Sequence, residues 1–430
     1  MKAIIRKNKI SGEMNVPSSK SHIIRAVTIA AMANGTSVIK NPLNSQDSRA
    51  ALKAAEKFGA KCTITEDQWI IEGAGDNLKT PDDVVNVDNS GTTLYFMTGL
   101  ASLLTDWTVF TGDKSIRQRP AKPLLDALNT LGATAFTTRT GVNSPPYLVK
   151  GPIKAGKAKV MNGPSQYISA LLLAAPMCEG LTIIEYENPI ETPYIEMTID
   201  WMKRTGITVN YEEGNFKHFE VEGKQEYKPF NRVMPSDWSS VAFPLAAGLT
   251  PGSELVINNM DFDDKQGDSI IVEILQNMGA NIQVDRENHK LKIIGDKKLK
   301  GITVDIASTP DVLPILSVVA SLAEGTTIID NVAGVRAKET DRVDVMTKEL
   351  RKMGAKIEAE HNRMIIYGGQ NLRGAEVESY HDHRVAMALS VAGLFADGET
   401  VVNDAECVDV TFPNFYQILN KVGAGFVIEE

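Results

Sequence analysis

The residues best suited to chemistry lie in short Gly-, Ser- or Pro-rich segments, each followed by an apolar run. PSSKSHIIRA carries Ser18, Ser19, Lys20, Ser21 and Arg25, and DNSGTT carries Asn89 and Gly91. GDKSIRQRP supplies Lys114, Arg117 and Arg119, and GPSQY supplies Ser165 and Gln166. TPDVLP sets Asp311 between two prolines, and VRAKETDR is crowded with Arg336, Lys338, Glu339, Asp341 and Arg342. HDHR, residues 381–384, leads with His383 and Arg384 into the apolar VAMALSVAGLF. Arginine forks grip carboxylates and phosphates bidentately, and lysine acts on them as a point charge. A helix start adds free N–H groups and the positive end of the helix dipole. Asp311 and Glu339, acids among cations, are candidates for proton transfer. Taken singly, each segment also fits an ordinary N-cap, a first-turn acid, a solvated basic loop or an exposed helix face.

Position makes the set more than its parts, because the chain repeats itself. The end of an amphipathic helix, a glycine and an extended run recur at Gly59, Gly132, Gly206, Gly279, Gly354 and Gly423, spaced by 69 to 75 residues. A glycine there predicts a left-handed helix C-cap leading straight into a strand. A second pattern interleaves with it: an Ala/Leu-rich helix, a turn and a β-branched strand, as in VASLAEGTTIIDN and VAGLFADGETVVN. Its sixth copy, LASLLTDWTVFTG, carries Asp106 where the others have glycine. Six α+β units follow, too long for single-helix-pair solenoid repeats, and three per domain gives two similar domains. The expected boundaries are 15–236 for the first domain and 1–14 plus 237–430 for the second, with two crossovers and a ligand cleft between them. The polar segments then stand at equivalent helix starts and can converge on that cleft.

Composition limits the ligand. At 430 residues the chain is long enough for about two domains. A formal charge of −9 argues against nucleic-acid and anionic-membrane surfaces, so any anion must meet a local basic cluster. Cys62, Cys178 and Cys407 are far apart and show no zinc spacing; buried thiols in a reducing compartment are expected. The opening MKAIIRKNKISGEM lacks the apolar region of a secretory signal, and the apolar run at 171–175 is too short to span a bilayer. A cytoplasmic location is the default.

At these motifs the sequence closely resembles the 5-enolpyruvylshikimate-3-phosphate synthase family of enolpyruvyl transferases. PSSKSHIIRA, DNSGTT, GDKSIRQRP, SQY, PYIEMT, SDWSS, TPD, KETDR and DHRVAM follow the family's order along essentially the whole chain. The resemblance implies an α+β fold, an inside-out α/β barrel of two domains with three βαβαββ units each. It also implies a monomer that closes over its substrates, phosphoenolpyruvate and shikimate-3-phosphate, with no cofactor or metal. Lys20, Ser21, Arg25, Ser165, Gln166, Tyr194, Asp311 and Lys338 would hold shikimate-3-phosphate. Lys20, Asn89, Gly91, Arg119, Gln166, Glu339, Arg342, His383 and Arg384 would surround phosphoenolpyruvate. Asp311 would take the proton of the acceptor's 5-hydroxyl, and Glu339 would protonate the enol methylene.

The sequence departs from the family's pattern at five places. Val410 stands where most bacterial members carry a lysine, and Pro164 where a second phosphate-binding serine is usual. Glu191 replaces a serine that contacts the acceptor's phosphate, where an acid should repel it. Tyr95 replaces a common arginine, and Gly334 a frequent asparagine. These changes keep two alternatives open: a paralogue acting on another phosphorylated acceptor, and a non-catalytic anion-binding protein of the same fold. A UDP-N-acetylglucosamine enolpyruvyl transferase usually carries a reactive cysteine in the segment that here spans 105–122, which has none.

Overall fold

Six four-stranded sheets, each with one parallel and two antiparallel pairings, repeat a single topology along the chain. In one, Lys157–Val160 runs parallel to Leu181–Tyr186, which pairs antiparallel with Asn215–Glu222, which in turn pairs with Asn210–Glu212. A computed structural model describes residues 1–430. Its helices are α1 Lys20–Met32, α2 Gln46–Lys57, α3 Gly91–Ala101, α4 Lys122–Thr130, α5 Ser165–Ala174 and α6 Thr192–Arg204. The second set is α7 Trp238–Ala247, α8 Ile271–Asn277, α9 Leu313–Leu322, α10 Arg342–Lys352, α11 His383–Phe395 and α12 Phe415–Lys421. Strand, helix, strand, helix and two strands make one βαβαββ unit.

The chain forms two compact units, each with its own core. Lys20–Met234 make a continuous unit; Met1–Ser19 and Pro235–Glu430 make a split one. The borders fall a few residues from 15 and 236 because the two crossing segments bond to each other. Ser19 N donates to Pro235 O, and Asp237 N donates to Pro17 O. Lys2–Arg6 lies between Glu399–Asn403 and Val427–Glu429, filling the place of a final strand. Ser11–Asn15 pairs parallel with Glu254–Asn258, while Asn231–Val233 pairs with Thr36–Lys40.

Two kinds of helix do two jobs. The even-numbered helices each end at one of the six repeat glycines, whose φ values lie between 93° and 104°. This is the left-handed conformation that the pattern demands. The odd-numbered helices are apolar nearly all round and are buried nearly all round, as helices at the centre of a core must be. In the continuous unit α3 packs on α1 and α5; in the split unit α7, α9 and α11 pack on one another. Polar groups cannot sit along such helices at low cost, so they gather at the starts. Ser90, Asp237 and Asp382 each cap their own helix with a side-chain oxygen.

Cys178 and Cys407 are buried, and Cys62 is half-buried on an edge strand, Lys61–Ile64. No helix is long and apolar enough to cross a membrane. Asp237 accepts from Ser240 N at 3.1 Å and from Ser240 Oγ at 2.5 Å. Asp237→Ala is expected to destabilise the protein by about 1 kcal/mol, read as a lowered midpoint in denaturant unfolding.

Candidate active site

In the split unit one guanidinium gathers three loops. Arg342, the first residue of α10, is 1% exposed. Its Nη1 donates to Asp311 Oδ1 at 2.7 Å, and its Nη2 donates to Glu339 Oε2 at 2.7 Å. Its Nε donates to Asp382 Oδ2 at 2.7 Å, and Nη2 also reaches Asp382 Oδ1 at 3.1 Å. Arg384 Nη2 lies 3.1 Å from the other Asp311 oxygen. Both candidate acids named by the sequence are therefore held on arginine nitrogens, and they remain partly accessible, Asp311 at 21% and Glu339 at 11%.

Local structure explains the placement. TPDVLP, expected to begin a helix, forms a 3-10 turn at Pro310–Val312, and α9 starts one residue later with Pro314 in its first turn. Proline fits there because a first-turn N–H has no helical partner. Thr309 Oγ1 donates to the fully buried Asp268 at 2.9 Å and anchors the turn. Lys338 and Glu339 lie on the loop between the 3-10 turn Ala333–Ala337 and α10. Arg336, from the same motif, turns instead to Asp341 and Asp344, at 2.8 Å each, and braces the start of α10. His383, 1% exposed, opens α11.

Charge sets the state of Asp311. Burial works to raise its carboxyl, but Arg384, Lys338 and Arg342 outweigh burial and hold it well below the usual carboxylate range; Glu339 pushes back. Arg342 is the mirror case: burial works to lower it, and Asp382, Glu339 and Asp311 raise it beyond the ordinary arginine value. The pair is charged throughout the working pH range.

Two further acids escaped the sequence reading. Asp382 is fully buried, caps α11 through Arg384 N at 2.9 Å, and accepts from Thr340 Oγ1 at 3.1 Å while holding Arg342. Glu349, on α10 and also fully buried, accepts from Glu378 N at 3.0 Å and from the Tyr380 hydroxyl at 2.9 Å. It braces a loop whose Tyr380 and His381 have φ of 55° and 58°, just before Asp382. An acid three residues before an apolar helix core reads locally as a cap; nothing in the sequence marks its reach across the fold.

The continuous unit places its candidates at the starts of α1, α3, α5 and α6 and, for Arg119, on the turn before α4. Lys20 Nζ lies 3.1 Å from Asp47, a nearly buried acid in the first turn of α2. Arg25, 1% exposed, donates to Thr198 Oγ1 at 2.8 Å, Ser21 O at 2.9 Å and Tyr194 O at 2.7 Å. All three acceptors are neutral oxygens. Asn89 Nδ2 donates to Asp113 at 2.6 Å. Gly91 leaves room for Arg119: a Cβ there would stand 2.4 Å from the Arg119 Nη1. Tyr95 and Tyr167 both donate to the Pro120 carbonyl, at 2.8 and 2.5 Å, and fix the residue after Arg119. Tyr95 thus has a structural task at its position. Lys114 and Arg117 are exposed, with Arg117 turned onto the Gly112 carbonyl. Gln166 keeps its Oε1 buried without a hydrogen-bond partner. Val410 is buried at the end of a 3-10 turn, and Gly334 is exposed.

Buried guanidiniums with acids on their nitrogens, set at helix starts, are an arrangement that can hold small anions beside carboxyl groups able to move protons. A sequence model of the EPSP synthase (3-phosphoshikimate 1-carboxyvinyltransferase) family matches residues 4–419. The chain is 42% identical to the 3-phosphoshikimate 1-carboxyvinyltransferase of Acetivibrio thermocellus over 420 residues, covering 98% of each chain. It is 40% identical to that of Methanococcus maripaludis over 424 residues, again 98% of each. The solved structure of EPSP synthase from Acinetobacter baumannii superimposes with a TM-score of 0.84 and 28% identity, covering 100% of both chains. The chain belongs to the EPSP synthase family.

Two outcomes are expected. Asp382→Ala removes one of three acid partners of a buried arginine together with the cap of α11, so it should cost about 2–4 kcal/mol in denaturant unfolding. The folded carboxyl of Asp311 lies below its unfolded value of about 3.9, so its stabilisation is present above that pH and is lost as pH falls toward the folded value. The stability gap between wild type and Asp311→Asn should therefore be full at pH 7 and narrow below about pH 4, read from unfolding midpoints across pH.

Proposed function

We propose that this chain transfers the enolpyruvyl group of phosphoenolpyruvate to the 5-hydroxyl of shikimate-3-phosphate and releases phosphate. The step lies on the shikimate route to chorismate and the aromatic amino acids. The observation that carries the reading is the Arg342 guanidinium, shared by Asp311 and Glu339, residues far apart in sequence. Paired proton-transfer groups on one rigid cation suit a reaction that removes one proton and delivers another.

In this reading Glu339 protonates the methylene carbon of phosphoenolpyruvate, which makes the adjacent carbon electrophilic. The acceptor's 5-hydroxyl attacks that carbon, and Asp311 takes its proton. The resulting tetrahedral phospho-ketal loses phosphate, and its methyl group returns a proton to restore the enol. Lys20, Asn89, Gly91, Arg119, Gln166, Arg342, His383 and Arg384 hold phosphoenolpyruvate and stabilise the departing phosphate. Lys20, Ser21, Arg25, Ser165, Gln166, Tyr194 and Lys338 hold the acceptor. Both sets of side chains act on the same substrate pair in this reading.

The free protein keeps Asp311 a weak base, because three cations stabilise its charge. Substrate carboxylate and phosphate groups compete for those cations, and Asp311 gains basicity as they arrive. The base is thus armed by the substrates it serves. The enzyme works as a monomer in the cytoplasm, where its free thiols Cys62, Cys178 and Cys407 stay reduced. One observation favours a different phosphorylated acceptor: the Glu191 carboxylate lies on Ser165.

The test is phosphate release from phosphoenolpyruvate with and without shikimate-3-phosphate. Release should depend on that acceptor. Asp311→Asn and Lys20→Ala should each lower kcat/KM by at least about 100-fold, with circular dichroism unchanged. Turnover only with another phosphorylated acceptor would establish the paralogue; binding of both ligands without turnover would establish a non-catalytic protein.

A further inference from the structure

Helix α5 is capped by a carboxylate borrowed from another helix. Ser45, Ser90, Asp237, Asp341 and Asp382 cap the helices that follow them with their own side chains. Pro164, before α5, makes no side-chain cap. In its place Glu191 Oε2 accepts from Ser165 Oγ at 3.1 Å and lies 3.4 Å from Ser165 N. Glu191 occupies the N-cap position of α6, yet its side chain does not cap α6. Its backbone sits at φ 52°, a conformation side-chain-bearing residues rarely adopt, and it is 5% exposed. The acid is thus buried and seated on a fully buried serine at the start of α5. Those are the donors, and that is the dipole end, that a bound anion would use. One residue on, the Gln166 Oε1 is buried with no donor to satisfy it.

We propose that Glu191 is a built-in anion that fills the seat of the acceptor's phosphate on Ser165 and must leave before that phosphate binds. The proposal rests on Ser165 being an acceptor ligand in the function proposed above. A tethered carboxylate competes within the molecule, so apparent affinity falls with the fraction of time the seat is open. If Glu191 stayed in place, two anions would share one set of donors, and like charges so close repel strongly. Glu191 therefore sets how tightly the acceptor binds and leaves the chemical step, which depends on Asp311 and Glu339, untouched.

The experiment uses the full-length protein with Glu191→Gln and Glu191→Ser. Glutamine keeps an oxygen for Ser165 and removes the charge; serine removes the tether. Inorganic phosphate binding is measured by calorimetry, and steady-state kinetics are measured with shikimate-3-phosphate at saturating phosphoenolpyruvate. Both variants should bind inorganic phosphate about tenfold tighter and lower the KM for shikimate-3-phosphate about tenfold, with kcat within about twofold of wild type. Unchanged or weaker phosphate binding in both variants would overturn the proposal and leave Glu191 a helix cap or a substrate ligand. If the serine variant fails to fold, the glutamine variant decides alone. If wild type turns over no shikimate-3-phosphate, the proposed reaction fails, and the phosphate titrations still decide the role of Glu191.

Discussion

One buried guanidinium constrains the candidate site of the split unit. Arg342 has five N–H donors and makes four hydrogen bonds with them, to Asp311, Glu339 and Asp382. A charge with so little exposure is tolerable only when its partners are fixed in geometry. Hence the turn at Pro310–Val312, the loop before α10 and the start of α11 are tied to one another. Moving any of them strands a buried charge. The same ties keep Asp311 ionised, which links the energetics of the fold to the state of the proposed base.

The repeated architecture supplies such meeting points. Along the apolar helices at the centre of each unit a polar side chain must find a hydrogen-bond partner inside the core, as Thr28 and Ser390 do on the carbonyl four residues back, so most of the charged groups collect where the helices begin. There, free N–H groups and the dipole add positive potential without a net basic composition. That is how a chain of formal charge −9 can hold polyanions. The tyrosines at 95 and 167 serve the same end less directly, by holding the Pro120 carbonyl and with it the approach of Arg119 to Gly91.

Much of this was legible in the sequence, for reasons that differ by residue. The six glycines are visible because their backbone requirement is local and recurs. Asp311, Glu339, Arg342 and Arg384 are visible because ionisable residues beside apolar runs are unusual and match family motifs. Asp382 was not, although it lies inside the quoted HDHR. Its short-range role as a cap hides a bond to an arginine 40 residues away. Glu349 looks like any charge on an amphipathic helix, and only the packed loop shows it fully buried. Glu191 was visible as a misfit but not as an occupant: the sequence expects repulsion there, while the structure gives the carboxylate a donor pair. Cys62 was expected inside, but its strand ends up at a sheet edge.

In the proposed reaction an acid held on Arg342 adds a proton to the enol carbon before phosphate leaves, and the carbon gives one back. Turnover in deuterium oxide tests this most directly, with mass spectrometry or proton NMR of the enolpyruvyl methylene in the product. Solvent deuterium should appear on that carbon in wild-type product and only when the acceptor is present. Product formed at full rate with no deuterium on the methylene would contradict the account.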